Sequence, residues 1–314
     1  MIKAESLTRR YGRVTAVRQV SFHIEGNGVV GLLGHNGAGK STLMKMLSGY
    51  LEPTAGRLQV SGYDYADGCR PTQRTLGYLP EDLPLYPDML VADYLDYVAI
   101  CKGIVRAQRS AALREALAAT SLEARALERI NRLSRGLRQR VAVAQAILGK
   151  PRLLILDEPG NGLDPLQTQQ MRELISYLAR RATVILSTHI LQEVEALCER
   201  VLIMDSGHLV LDARLEDLRR SHSLLLRVHT PSDSLRDALG QLPAVVAVQG
   251  RPGEGEYHLS LGEDSTVDAA STASANSVHV RAAGLVSLQC QQRDLETVFR
   301  DAIGKQVDGG ARQR

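Results

Sequence analysis

The sequence lacks most of what marks a membrane-spanning, secreted or metal-clustering chain. No apolar run reaches the ~18 residues that a bilayer-crossing helix needs. Met1 to Arg10 alternate like a strand and hold no signal-peptide core, so any membrane role requires a separate partner. The four cysteines, Cys69, Cys101, Cys198 and Cys290, stand far apart without metal-ligand spacing, which suits reduced thiols in a cytoplasmic setting. Neither sign of charge dominates. Lys and Arg number 38 and Asp and Glu 35, a net +3 that argues against a dedicated nucleic-acid binder. What remains is an ordinary globular composition, 44% hydrophobic and 23% charged, in 314 residues, enough for one large domain or a large and a small one.

One stretch is chemically specific. Gly34 to Thr42 reads G-H-N-G-A-G-K-S-T and fits G-x-x-x-x-G-K-[S/T], a loop that cradles nucleotide phosphates. The apolar run Gly28–Leu33 before it suits a buried strand, and Leu43–Ser48 after it is a good helix former. Strand, glycine-rich turn and helix start is the context the motif requires. The glycines let successive N–H groups turn toward an anion, and the new helix adds its free N–H groups and dipole. Gly34, Asn36, Gly37, Gly39, Lys40, Ser41 and Thr42 are therefore candidate nucleotide ligands. Lys40 is expected on the β- and γ-phosphates and the Ser41 hydroxyl on Mg²⁺.

Along the chain, residues 2–7 and 19–25 read as edge strands with Tyr11-Gly12 in the turn between them, where the tyrosine is either a packed turn residue or a ring for stacking a base. Residues 57–60 and 75–79 read as strands. Prolines then open a loop at Pro80-Glu81-Asp82, and residues 89–101 and 108–119 are helical by spacing. Ser134 is a plausible N-cap for a helix through Leu148. Leu153–Leu156 reads as a buried strand that delivers Asp157 and Glu158. Pro165 starts a further helix, and Thr183–Leu186 is a strand that delivers His189. This rhythm predicts a mostly parallel sheet with covering helices. Ligands in such sheets bind beyond the carboxyl ends of strands, so Gly34–Ser41, Asp157-Glu158 and His189 should form one site. Two adjacent carboxylates after four buried aliphatics are costly as a mere turn, which favours a functional reading.

From about residue 219 the texture changes. Strands are expected at 223–229, 245–249, 257–261 and 278–282, with helices at 232–239 and 294–304, a stretch at 264–275 that is either helical or loose, and a frayed tail from Lys305. The order βαββαβ with a closing helix suggests a small ferredoxin-like α+β domain. The expected boundaries are 1–218, with a helical insert at about 82–150, and 219–314.

Taken together, residues 2–218 resemble the nucleotide-binding subunit of an ABC transporter, closest in pattern to single-domain ATPases of exporter-type, gliding-motility and copper-site-maturation systems. The resemblance implies a P-loop NTPase fold with a mostly parallel sheet, an antiparallel β subdomain and a helical subdomain. It places Tyr11 at the adenine-stacking position, Glu81 at the Q-loop, and Leu133–Arg140 (L-S-R-G-L-R-Q-R) at the signature segment, where Ser134 and Gly136 would contact phosphate. Asp157 would hold Mg²⁺ with Ser41 and Glu81, Glu158 would be the catalytic base, Asp164 would belong to the D-loop, and His189 would be the switch histidine beside Lys40. The chain departs from the family pattern at Glu81 for glutamine, Arg135 for glycine and Leu137 for glutamine. The implied activity is ATP hydrolysis by a homodimer sandwiching two ATP. It would drive a separately encoded integral membrane permease from the cytoplasmic face of the membrane, with no nucleic-acid partner. The alternative is a soluble ABC ATPase remodelling a ribosome, DNA or a protein complex, against which stand the single P-loop and the absence of sustained heptads. A GTPase is disfavoured because no N-K-x-D motif occurs.

Overall fold

The computed structural model describes residues 2–68, 73, 75–219, 223–251, 255–262, 271, 274–275, 277–290, 295–300 and 302. The chain divides into two compact units, one holding Met1–Leu215 and the other Glu216–Arg300.

The larger unit begins with β1 (Ile2–Tyr11), β2 (Val14–Ile24) and β3 (Gly28–Leu33), then α1 (Lys40–Leu47), β4 (Ala55–Val60), β5 (Tyr63–Asp64) and β6 (Leu76–Leu79). A helical stretch follows, with α2 (Val91–Cys101), α3 (Arg106–Ala119) and α4 (Arg135–Ile147). The chain then alternates through β7 (Leu153–Asp157), α5 (Pro165–Ala179), β8 (Thr183–Ser187), α6 (Leu191–Leu197), β9 (Arg200–Asp205) and β10 (His208–Arg214), and α7 (Leu215–Arg219) begins at the boundary between the units.

Two sheets result. A six-stranded sheet runs β10-β9-β3-β8-β7-β6, in which all neighbours except β10 and β9 are parallel. Every residue of β7 and β8 is buried, as expected of strands covered on both faces. A four-stranded antiparallel sheet runs β2-β1-β4-β5. One buried cluster unites Leu7 and Val20 of that sheet, Leu43 and Met44 of α1, and Ile155 and Ile185 of the larger sheet. The helix behind the glycine loop is thereby fixed by apolar packing rather than by its eight residues of intrinsic helicity.

One expectation for this unit needs correction. Residues 2–7 do not form an edge: β1 is paired on both sides, with β2 and with β4. Its alternating burial reports which face is covered, and carries no information on how many strands flank it.

The smaller unit contains β11 (Ser223–Val228), α8 (Asp233–Gly240), β12 (Val245–Arg251), β13 (Glu256–Leu261), α9 (Val278–Ala282) and β14 (Leu285–Cys290). The sheet order is β12-β13-β11-β14, all antiparallel, which is the βαββαβ arrangement of the ferredoxin-like fold. Its own core gathers Leu224, Leu226, Leu235, Tyr257, Leu259 and Val280. The order of elements agrees with the sequence reading, but the last strand does not. Residues 278–282 are helical, and the closing strand is 285–290. Val278-His279-Val280 has the period of a strand, yet Val280 is fully buried in the core as part of a short helix, so tertiary packing overrides local preference. Residues 295–300 are helical, within the closing helix expected there. Most of the looser stretch at 264–275 and the tail from 305 lie outside the described residues.

Candidate functional site

The glycine loop leaves β3 and enters α1 through Gly39, the N-cap, whose φ of 103° is left-handed. A Cβ at Gly39 would collide with the Ala16 carbonyl, so backbone freedom and close approach both require glycine here. Gly37 is also left-handed, with φ 84°. Lys40 is buried at the first position of α1, and its Nζ donates to the carbonyls of Gly34 (2.7 Å) and His35 (3.2 Å). Burial pushes the Lys40 ammonium down from its ordinary range, while Glu158, Asp157 and Glu81 hold it up. Ser41 and Thr42 follow on α1, half-buried, and Asn36 is exposed at the tip of the loop.

β7 ends in Asp157, almost wholly buried, and Glu158 follows with φ 49°. A non-glycine residue in the left-handed region costs on the order of 1–3 kcal/mol and is kept only where the surroundings over-determine it. Here the Glu158 N–H donates to the Ser187 carbonyl of the neighbouring strand (3.0 Å), which anchors the turn. Glu158 Oε2 lies 2.9 Å from His189 Nδ1. The carboxylate side chain is 12% exposed and the imidazole 60%. Burial raises the Glu158 carboxyl above its usual range and the histidine partly opposes this. Burial likewise raises Asp157, opposed by the hydroxyls of Ser187 and Ser41 and by Lys40. Glu81, exposed in the loop after β6, adds negative potential to the same group.

The structure therefore brings Lys40, Ser41, Glu81, Asp157, Glu158 and His189 into one electrostatic cluster at the carboxyl ends of β3, β6, β7 and β8. Such a set can neutralise a polyanion while presenting a carboxylate to water. The donor chemistry also fits a hard divalent cation, since two carboxylates and a hydroxyl beside a phosphate loop are what Mg²⁺ accepts.

Other expected residues lie elsewhere. Tyr11, at the end of β1, is 46% exposed, and the Arg9 guanidinium sits 4.9 Å from its ring centroid. Ser134 caps α4, its Oγ accepting from the Leu137 N–H (3.3 Å). A Cβ at the buried Gly136 would meet the Gln167 amide, so the start of α4 lies against the start of α5. Asp164 caps α5 by accepting from the Gln167 N–H at 2.8 Å. Arg135, the residue that departs from the family pattern, places its guanidinium over Gly162 of its own chain.

Sequence reading missed a buried pair behind the histidine. Thr188 Oγ1 donates to Glu193 Oε2 at 2.7 Å, and the two residues are 0% and 5% exposed. Glu193 reads in sequence as one more charge on a polar helix, and only the strand-end position of Thr188 hinted otherwise.

Comparisons with known proteins give the family and the fold. Residues 17–161 match the family described as ABC transporter. A Bacillus subtilis (strain 168) protein described as the uncharacterized ABC transporter ATP-binding protein YxlF is 34% identical, over 79% of this chain and 82% of its own length. The linearmycin resistance ATP-binding protein LnrL of the same organism is 30% identical over 97% of this chain and 99% of its own. A solved ATP binding subunit of an ABC transporter superposes with a TM-score of 0.64 at 33% identity, covering 70% of this chain and 92% of that one. The dimeric bacterial ABC transporter cassette MJ0796 gives a TM-score of 0.63 at 25% identity, over 68% and 99%. The chain belongs to the ABC transporter ATP-binding family. It has the P-loop NTPase fold of ABC cassettes, it binds ATP, and it is an ATPase. Among the described residues no helix is long and apolar enough to cross a membrane.

Proposed function

We propose that two copies of this chain close head to tail around two ATP molecules and drive a separately encoded membrane permease from the cytoplasmic face. The observation that carries the reading is the Glu158–His189 contact at 2.9 Å, built from the ends of two adjacent buried strands beside the buried Lys40.

The roles follow from residue chemistry. The loop amides from Gly34, Asn36, Gly37 and Gly39, with Lys40 and Thr42, bind the triphosphate. Asp157, Ser41 and Glu81 would hold Mg²⁺, which supplies charge neutralisation on the phosphate oxygens when bound. Glu158 orients and deprotonates the attacking water. Its raised affinity for protons suits a base that must take one up near neutral pH. His189 holds the Glu158 carboxylate and faces the reacting phosphate. Tyr11 stacks on the adenine. Ser134, Gly136 and Asp164 act across the dimer: the amino end of α4 offers free N–H groups to the triphosphate held by the second copy. A two-fold arrangement completes both sites at once. The described dimeric state of MJ0796 supports this geometry. Residues 1–218 then form the motor and 219–314 an accessory domain that supports the dimer or regulates turnover. The substrate is chosen by the permease.

The test is to block turnover with Glu158→Gln, add Mg-ATP and weigh the particles by light scattering. A dimer is expected, with hydrolysis lowered at least about 100-fold, as loss of a general base requires. A monomer with nucleotide bound ends the sandwich proposal.

A further inference from the structure

Glu193 lies on α6, outside the set of groups assigned to phosphate, metal or water. Its burial is costly for a carboxylate, which needs specific partners inside a protein. Two loops meet on it. On one side the Thr188 hydroxyl donates to Oε2, while the same hydroxyl accepts from the Ile190 N–H (3.1 Å), so the carboxylate pins the turn that contains His189. On the other side lies Gly160, two residues past Glu158. A methyl group at Gly160 would collide with Glu193 Oε1 and stand 3.4 Å from its Cδ. The base and the histidine thus come from loops that share one buried wall.

We propose that Glu193 is a positioning residue: its carboxylate wedges between the loop after Glu158 and the loop bearing His189 and fixes the distance between those two side chains. It is not among the residues assigned to ATP, metal or water. Its part is to remove freedom from the pair that is, and a displacement of about an ångström in such a pair can cost on the order of a hundredfold in rate. The kinetic part of this proposal rests on the ATPase assignment, and the geometric part does not.

The experiment compares wild type with Glu193→Ala, Glu193→Gln and Gly160→Ala in crystal structures and in steady-state ATP hydrolysis. In Glu193→Ala the Glu158–His189 separation is expected to open past hydrogen-bond reach, about 3.5 Å. The same variant should lose at least about tenfold in kcat, with KM for ATP within about threefold of wild type. Glu193→Gln keeps the shape and an acceptor oxygen for Thr188, so it should retain most of the activity. Gly160 has no left-handed backbone to forfeit, so Gly160→Ala should lower kcat only through the collision, and should have no further effect when Glu193→Ala has removed the obstacle. A Glu193→Ala structure that keeps the 2.9 Å contact, or a Gly160→Ala effect that persists undiminished without the carboxylate, overturns the proposal. If Glu193→Ala does not fold, Thr188→Val and Gly160→Ala carry the same test, and unchanged kcat in both overturns it. Because the crystallographic arm needs no turnover, a chain that hydrolyses nothing counts against the ATPase reading alone.

Discussion

At the scale of single residues, the departures from the family pattern are the informative positions. Arg135 stands where the pattern has glycine, and its guanidinium covers Gly162, whose φ is 71°. Gly162→Ala therefore carries two separable costs. The left-handed backbone alone costs a non-glycine residue roughly 1–2 kcal/mol, and the methyl must also displace Arg135. Denaturant unfolding should show a loss of at least about 1 kcal/mol in wild type and a smaller one in an Arg135→Ala background. Equal losses in both would mean that the guanidinium yields freely. Glu81 is the second departure. It strengthens the negative potential on Lys40 and Asp157, and a glutamine would keep an oxygen for the metal while removing that charge. Glu81→Gln should leave ATPase activity within about tenfold, or about 1.4 kcal/mol in the barrier. Complete loss would assign the position another role. Lys40, Asp157, Glu158 and His189 are candidates from the sequence because each sits at a motif or a strand end. The sequence concealed Glu193 and Gly160, whose importance lies in a contact between segments some thirty residues apart in the chain, which no local pattern records.

At the scale of elements, α4 is held at both ends and along its length. Ser134 caps its start, the Gln145 amide donates to the Tyr78 carbonyl of β6 (2.9 Å), and Lys102 Nζ donates to the Ala146 and Leu148 carbonyls at its finish (2.8 and 3.1 Å). An ammonium at a helix C-terminus satisfies orphan carbonyls and meets the negative end of the dipole. Burial nevertheless brings its pKa down to about 8. The sign of the linkage follows. Between about 8 and the ordinary lysine value of about 10.4 the unfolded chain binds the proton that the folded chain has released, so this group makes stability rise with pH across that window. Lys102→Met should flatten the rise, by at most about 1.4 kcal/mol per pH unit, in thermal or denaturant unfolding followed from pH 7.5 to 10. Parallel curves for the two proteins would show that the ammonium is better solvated than its position implies. The start of α4 was legible because Ser134 is a side-chain signal. The last strand of the smaller unit was not, because Val278-His279-Val280 alternates like a strand while Leu285-Val286-Ser287-Leu288 mixes its exposed and covered positions on an edge of the sheet. A five-residue helix is too short to show its period, so packing alone decides.

At the scale of the whole chain, the two units have separate buried cores, one around α1 and its two sheets and one under the antiparallel sheet of β11–β14. All residues proposed to meet ATP, from Tyr11 to His189, belong to the first. A domain with its own core is in principle able to fold alone. Truncation after Arg219 should therefore leave a folded protein that binds Mg-ATP with a Kd within about threefold of the full chain, about 0.65 kcal/mol. Its thermal transition should coincide with one of two transitions in the intact protein, since independent cores need not melt together. Nucleotide binding measured by fluorescence titration, beside calorimetry of both proteins, checks each half of that expectation. If binding disappears with the last domain, residues past 219 complete the pocket, and the division of labour drawn from the two cores is wrong. If binding survives and only hydrolysis changes, the difference measures how far the residues past 219 govern turnover.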